Sequence, residues 1–202
     1  MELTEVSFIG PRVDSQSPAL TQLSEDLADL LRQVNGFVQF GGGLHVRGLC
    51  PSLPWHDLGS VLSGDGALHA KYPALAQTDE LFAQDCVADQ FFLREGLVWK
   101  LWAETGDIEP LDVTLMNFLA AASADPVGFL EMHPLLQFRR EGGKLDPGQV
   151  LHVYPPFCTK ESARGVSLKA VGCEEALAFL ADFSRHLASL PDGTPMQIRV
   201  VP

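Results

Sequence analysis

The sequence predicts an α+β fold: a twisted, mainly antiparallel central sheet flanked by helices, with an αβ extension towards the C-terminal end. Three observations carry this. Alternating apolar segments are densest between Glu80 and Leu111, where short turns join them into a meander. Stripes of apolar residues at helical spacing lie on both sides of that region. No Pro-, Gly- or Ser-rich linker breaks the chain, so its 202 residues read as one domain with a core large enough to need no disulfide or metal staple.

Each element has its own signal. Residues 1–19 form an irregular lead-in, at whose end Ser17-Pro18 caps a helix whose Leu20, Leu23, Leu27, Leu30, Leu31 and Val34 share a face. Asn35-Gly36 supplies its left-handed stop. Phe37–Phe40 and Leu44–Gly48 are short strands around Gly41-Gly42-Gly43, which lacks the spacing of a phosphate-binding loop and reads as a hairpin turn. Alternation in the second strand points Leu44 and Val46 inward and His45 and Arg47 outward. A short helix is expected around Trp55–Leu62, begun by Ser52 and Pro54; Trp55 either plugs the sheet edge or stands exposed. Leu81–Ala83, Gln90–Arg94, Leu97–Ala103 and Ile108–Leu111 are strands. A two-residue turn at Glu95-Gly96 sets Arg94 against Leu97, Phe92 against Trp99 and Phe91 against Lys100. Helices follow at Thr114–Ser123 and from Asp125-Pro126 towards Met132, then strands at Val150–Tyr154 and Val166–Val171, a helix at Glu174–Leu190 and an edge strand at Met196–Val201.

Composition excludes several classes. With 46% hydrophobic and 20% charged residues the chain is neither a disordered tail nor a fibre. Its apolar runs fall far short of the roughly 20 residues of a membrane helix. The N-terminal Met1-Glu2-Leu3-Thr4-Glu5 carries acids where a signal peptide needs basic residues, so a cytoplasmic protein is expected. Cys50, Cys86, Cys158 and Cys173 have no metal-site spacing and read as small apolar residues; the six histidines show no HxH or HExxH pattern. No cofactor or metal site is expected.

Charge is more informative. The net charge of −12 comes from 26 acidic and 14 basic residues, and residues 76–131 hold 11 of the acids but only 2 of the bases. Direct nucleic-acid binding is thereby disfavoured, whereas a basic protein partner would be steered in. Glu104, Asp107, Glu109 and Asp112 flank the turn after Trp102; they read as a solvated acidic rim, or as hard oxygen ligands for a divalent cation. No nucleophile elbow, zinc-deaminase set, kinase set or EF-hand loop is present, so no catalytic residue is expected.

Taken in order, Asn35-Gly36-Phe37, Phe40-Gly41-Gly42-Gly43-Leu44, Phe82-Ala83, Asp89-Gln90-Phe91-Phe92-Leu93, Gly96-Leu97-Val98-Trp99 and a helix ending in Phe118-Leu119 resemble the SUKH superfamily, which includes bacterial immunity proteins and related fungal cell-wall-synthesis regulators. The likeness spans about residues 20–132; residues 133–202, with Gly143-Lys144-Leu145-Asp146-Pro147-Gly148-Gln149 and Val153-Tyr154-Pro155-Pro156-Phe157, are similar to C-terminal parts of related immunity-type domains. One departure stands out: many members have Gly-Asp where this chain has Ala88-Asp89, so the backbone there is expected to run differently.

The resemblance implies a non-catalytic protein-binding module, in many members one that neutralises a cognate toxin. Charge mimicry of nucleic acid against a nuclease-type toxin fits the acidic middle of the chain. Trp55 and Trp102 are the expected anchors and Glu95, Glu104, Asp107, Glu109 and Asp112 the expected rim. A regulatory scaffold for a peptide or cell-wall-synthesis enzyme is the alternative, and a small-molecule sensor or hydrolase, which needs a pocket with convergent polar groups, is a third.

Overall fold

The computed structural model describes residues 3–191. Its centre is a seven-stranded antiparallel sheet in sequential order: β1 Phe8–Ile9, β2 Phe37–Gln39, β3 Leu44–Val46, β4 Glu80–Asp85, β5 Gln90–Arg94, β6 Leu97–Leu101 and β7 Ile108–Pro110. The hairpin between β5 and β6 has the expected register, with Arg94 opposite Leu97, Phe92 opposite Trp99 and Phe91 opposite Lys100. Glu95 and Gly96 both adopt positive φ, 54° and 78°, so a type I′ turn fixes that register.

Helices cover one side of the sheet. Leu27, Leu30 and Leu31 of α1 (Glu25–Gln33) and Leu115, Phe118 and Leu119 of α3 (Leu115–Ala124) are buried in the main core, where Phe118 meets the rings of Phe82 and Phe91. Less regular chain covers the other side. It comprises α2 (Leu58–Leu62), two 3-10 turns, the Tyr72 hydroxyl donating to Ala103 O and the Arg94 guanidinium held by Asp79 and Ala74 O.

Several local expectations are corrected. β1, in the lead-in, is too short to show a period, and pairs with β2. The long first helix is two pieces: a 3-10 turn at Pro18–Gln22 and then α1, because Leu23 and Ser24 are extended and Ser24 donates its N–H and hydroxyl to the Glu80 carboxylate. The helix expected from Trp55 starts at Leu58, where Asp57 caps Ser60 N–H. His45 and Arg47 do not face solvent; both are buried, because the chain from Trp55 to Asp57 closes over their side of the sheet. Ala88 has φ 71°, in the left-handed region that glycine favours, at a cost on the order of 1 kcal/mol.

The C-terminal part adds α4 (Pro126–Phe129), α5 (His133–Arg140), the antiparallel pair β8 (Gln149–Tyr154) and β9 (Ser167–Gly172), and α6 (Cys173–Ala188). The edge strand expected at 196–201 lies outside the described residues. Leu135 and Leu145 join the main core. β8, β9 and α6 form a unit with a small core of its own, Val150, Cys173, Ala176 and Leu177 around Ala88, and Leu151 N–H binds Cys86 O in the turn after β4. No helix among the described residues is long and apolar enough to cross a membrane.

Candidate functional site

Where the C-terminal unit meets the Trp102 end of the sheet, the two do not close on each other. A cleft of about 830 Å³ lies between them. The sheet supplies Trp102 and Ile108, β8 supplies Leu151 and Val153, α6 supplies Phe179, Leu180 and Phe183, and the segment after β8 supplies Phe157. Phe157 and Phe179 keep 45% and 39% of their surface exposed, which leaves two apolar rings of one cleft open to a binding partner.

The polar lining is one-signed. Six acidic residues line the cleft, Asp85, Asp89, Glu104, Asp107, Glu109 and Glu131, against one arginine, Arg140, and two histidines. Behind three of them sits Lys100. Its Nζ is 2.6 Å from Glu131 Oε2, 3.2 Å from Asp89 Oδ2 and 3.7 Å from Asp85 Oδ2, and 3.6 Å from the centre of the Trp102 ring. Local structure places each group. Asp85 Oδ1 accepts the N–H groups of Val87 and Asp89 across the turn after β4, Asp89 Oδ1 accepts Ala103 N–H, and Glu131 projects from the connection between α4 and α5.

One lysine cannot balance three acids. Burial, then the neighbouring Asp89, pushes the Asp85 carboxyl up to about 8 despite Lys100. Burial likewise raises Asp89. Burial works against the Lys100 charge, but Asp85, Asp89 and Glu131 together more than offset it and raise its pKa. Asp85 therefore holds a proton near neutral pH, and Lys100 answers Asp89 and Glu131.

The expected site residues divide. Trp102, Glu104, Asp107 and Glu109 converge on the cleft. Glu104, however, is committed internally: its Oε2 accepts Cys158 N–H at 3.1 Å, which ties the Phe157 segment to the sheet. Glu95 and Asp112 lie at the opposite end of the β5–β6–β7 meander, a strand length of roughly 17 Å away, and cannot share a contact with Asp107. Trp55 plugs a seam. Its ring packs against Phe8, His45 and His56 between the sheet edge and the C-terminal unit, away from the cleft. Among the described residues no three His, Cys, Asp or Glu side chains are arranged to hold a metal ion.

Of the eleven acids in residues 76–131, six thus ring the cleft; the other five are Asp79 on Arg94, Glu80 on Ser24, Asp125 capping α4, and the distant Glu95 and Asp112. Asp85, Asp89, Lys100 and Glu131 had no linear signal beyond one faint one: Lys100 is one of only two bases in that stretch.

No protein-family model matches this chain, and no curated protein matches its sequence. The fold is similar to the crystal structure of Atu4351 from Agrobacterium tumefaciens, with a TM-score of 0.54 at 15% identity over 89% of this chain and 84% of that one. At this identity the likeness bears on the fold alone, and its extent is too large to be the central sheet by itself.

A second polar cluster, buried under Trp55, lies away from the cleft. Arg47, 1% exposed, donates to Leu81 O and to the side-chain carbonyls of Gln84 and Gln90. Gln84 Nε2 lies 3.2 Å from His45 Nδ1, His45 Nε2 lies 2.9 Å from His56 Nδ1, and His56 Nε2 lies 3.1 Å from Asn35 O. Because Gln84 must donate and Asn35 O must accept, both rings are neutral with the proton on Nε2. This relay braces the sheet and presents no group to a ligand.

Proposed function

We propose that this protein is a non-catalytic, cytoplasmic protein-binding module of the SUKH type, an immunity protein that neutralises a toxin by covering its active surface. The observation that carries the reading is the cleft: exposed aromatic rings meet the carboxylates of Asp107, Glu109 and Glu131 at one place. Desolvated aromatic anchors ringed by charge are how protein interfaces obtain affinity and fast association together. A toxin with a basic active surface, as a nuclease has, is the partner such a cleft complements.

The decisive experiment is to test the neighbouring genes for a toxin and to co-express it with this protein. Survival of the cells, a stoichiometric complex of the purified proteins and inhibition of the toxin in vitro are expected. Full toxicity in the presence of folded protein refutes the reading and leaves the regulatory scaffold, which would use the same cleft for a peptide or a cell-wall-synthesis enzyme.

The size of the cleft also favours a second reading, a sensor of a small cationic ligand, because about 830 Å³ lies within the range of small-molecule sites. Binding of a free amine or guanidine with no protein partner would select it.

A further inference from the structure

Resting on the protein-binding reading, we infer that the cleft seats an arginine side chain of the partner, its guanidinium beside Glu131 and Asp89 and its neighbours on Phe157 and Phe179.

The chemistry of the cleft selects this occupant. The charge in excess there is carboxylate: exposed Asp107 and Glu109 line the cleft with Glu131 against one arginine, Arg140, and Glu131, although it meets Lys100, remains 57% exposed at the side chain. A cation is therefore attracted and an anion repelled. Among protein cations, the guanidinium loses less hydration on entering a part-apolar site than an ammonium does, and its planar fork can serve two carboxylates at once. Trp102 already has the Lys100 ammonium at its ring. The volume exceeds a single side chain, so the apolar walls have area left for the residues beside the arginine.

Two peptides test this, acetyl-Leu-Phe-Arg-Phe-Leu-amide and its analogue with citrulline, which keeps the shape of arginine and removes its charge. Binding is read from the Trp102 indole resonance of the full chain. The arginine peptide is expected to bind at least tenfold more tightly than the citrulline peptide. Glu131→Gln alone, and together with Asp89→Asn, should erase most of that preference, while the distant pair Glu95→Gln and Asp112→Asn should leave it intact. Equal binding of the two peptides, no shift at millimolar peptide, or a preference indifferent to Glu131→Gln overturns the inference. So does free agmatine binding as tightly as the peptide, which would point to a small ligand.

The outcomes separate the inference from the reading beneath it. A toxin neutralised equally well by Glu131→Gln leaves the protein-binding role standing and removes the arginine seat. Arginine-selective binding without any protection of cells leaves the seat and removes the toxin.

Discussion

The Lys100 ammonium lies 3.6 Å from the centre of the Trp102 ring, so the cation behind the cleft is held between an aromatic face and the carboxylates of Asp89 and Glu131. Removing it exposes how much that corner depends on one charge. Lys100→Met leaves Asp85 and Asp89 buried without a counter-charge, and breaking a buried pair in this way costs about 3–5 kcal/mol. Urea unfolding should show that deficit at pH 8 and a smaller one at pH 5, where the carboxyls can take up protons instead. A deficit independent of pH would mean that packing, and not charge, is what Lys100 provides.

Asp85 gives the wild-type protein a pH dependence of the opposite sense to an ordinary salt bridge. Its folded-state pKa is raised to about 8, whereas unfolded it titrates as an ordinary carboxyl near 4. Between those values the folded state holds the proton more firmly, so this group's contribution to stability is complete below about pH 4 and is lost as pH rises through about 8. Asp85→Asn retains an oxygen for the Val87 and Asp89 N–H groups and has no proton to lose. Its stability relative to the wild type should therefore rise steadily as pH goes from 5 to 8. Some slope remains from Asp89, which burial also raises. Parallel curves would place the proton elsewhere.

The histidine relay acts from the acid side. Burial first, and the nearby Arg47 charge after it, lower the pKa of His45; burial also lowers His56. Below their ordinary value of about 6.5 the unfolded chain takes up protons that the folded chain refuses, so stability from this pair is present above that pH and declines as pH falls. Nitrogen NMR should find Nε2 protonated and Nδ1 bare on both rings at pH 6. His45→Leu strands the Gln84 amide and His56 Nδ1, at a cost of about 1–3 kcal/mol for each buried group left unpaired. It should also weaken the acid-side decline.

These sites were unequally legible in the sequence. The meander and its register follow from Glu95-Gly96, because a two-residue turn decides every pair behind it. The break in the first helix does not, since Ser24 caps α1 only when Glu80, 56 positions away, is placed beside it. The cleft lies between these cases. Trp102, Asp107 and Glu109 come from one turn and are visible as a group, but Glu131 reaches Lys100 from 31 positions away through the packing of α4 and α5, and no local pattern encodes that. His45 and Arg47 misled for a related reason. Alternation marks the face of a strand opposite the core, but whether solvent or more protein covers that face is set by the chain from Trp55 to Asp57.

Glu104 is expected to control the shape of the cleft and not to bind a partner directly. Its carboxylate accepts the Cys158 N–H, and burial raises its pKa, against the pull of the backbone N–H groups of Cys158 and Phe157. Those bonds hold the segment that carries Phe157 and leads into the exposed Lys160–Arg164 turn. Glu104→Ala removes them, and losing about 1–3 kcal/mol of local restraint raises the opened population at least roughly fivefold. Limited trypsin digestion should then cut after Lys160 or Arg164 faster by about that factor, with little change in Tm because the main core is untouched. Glu104→Gln keeps one acceptor and should fall between. If digestion of Glu104→Ala matches the wild type, the segment is held by its own turns, and Glu104 returns to the list of carboxylates free to meet a partner.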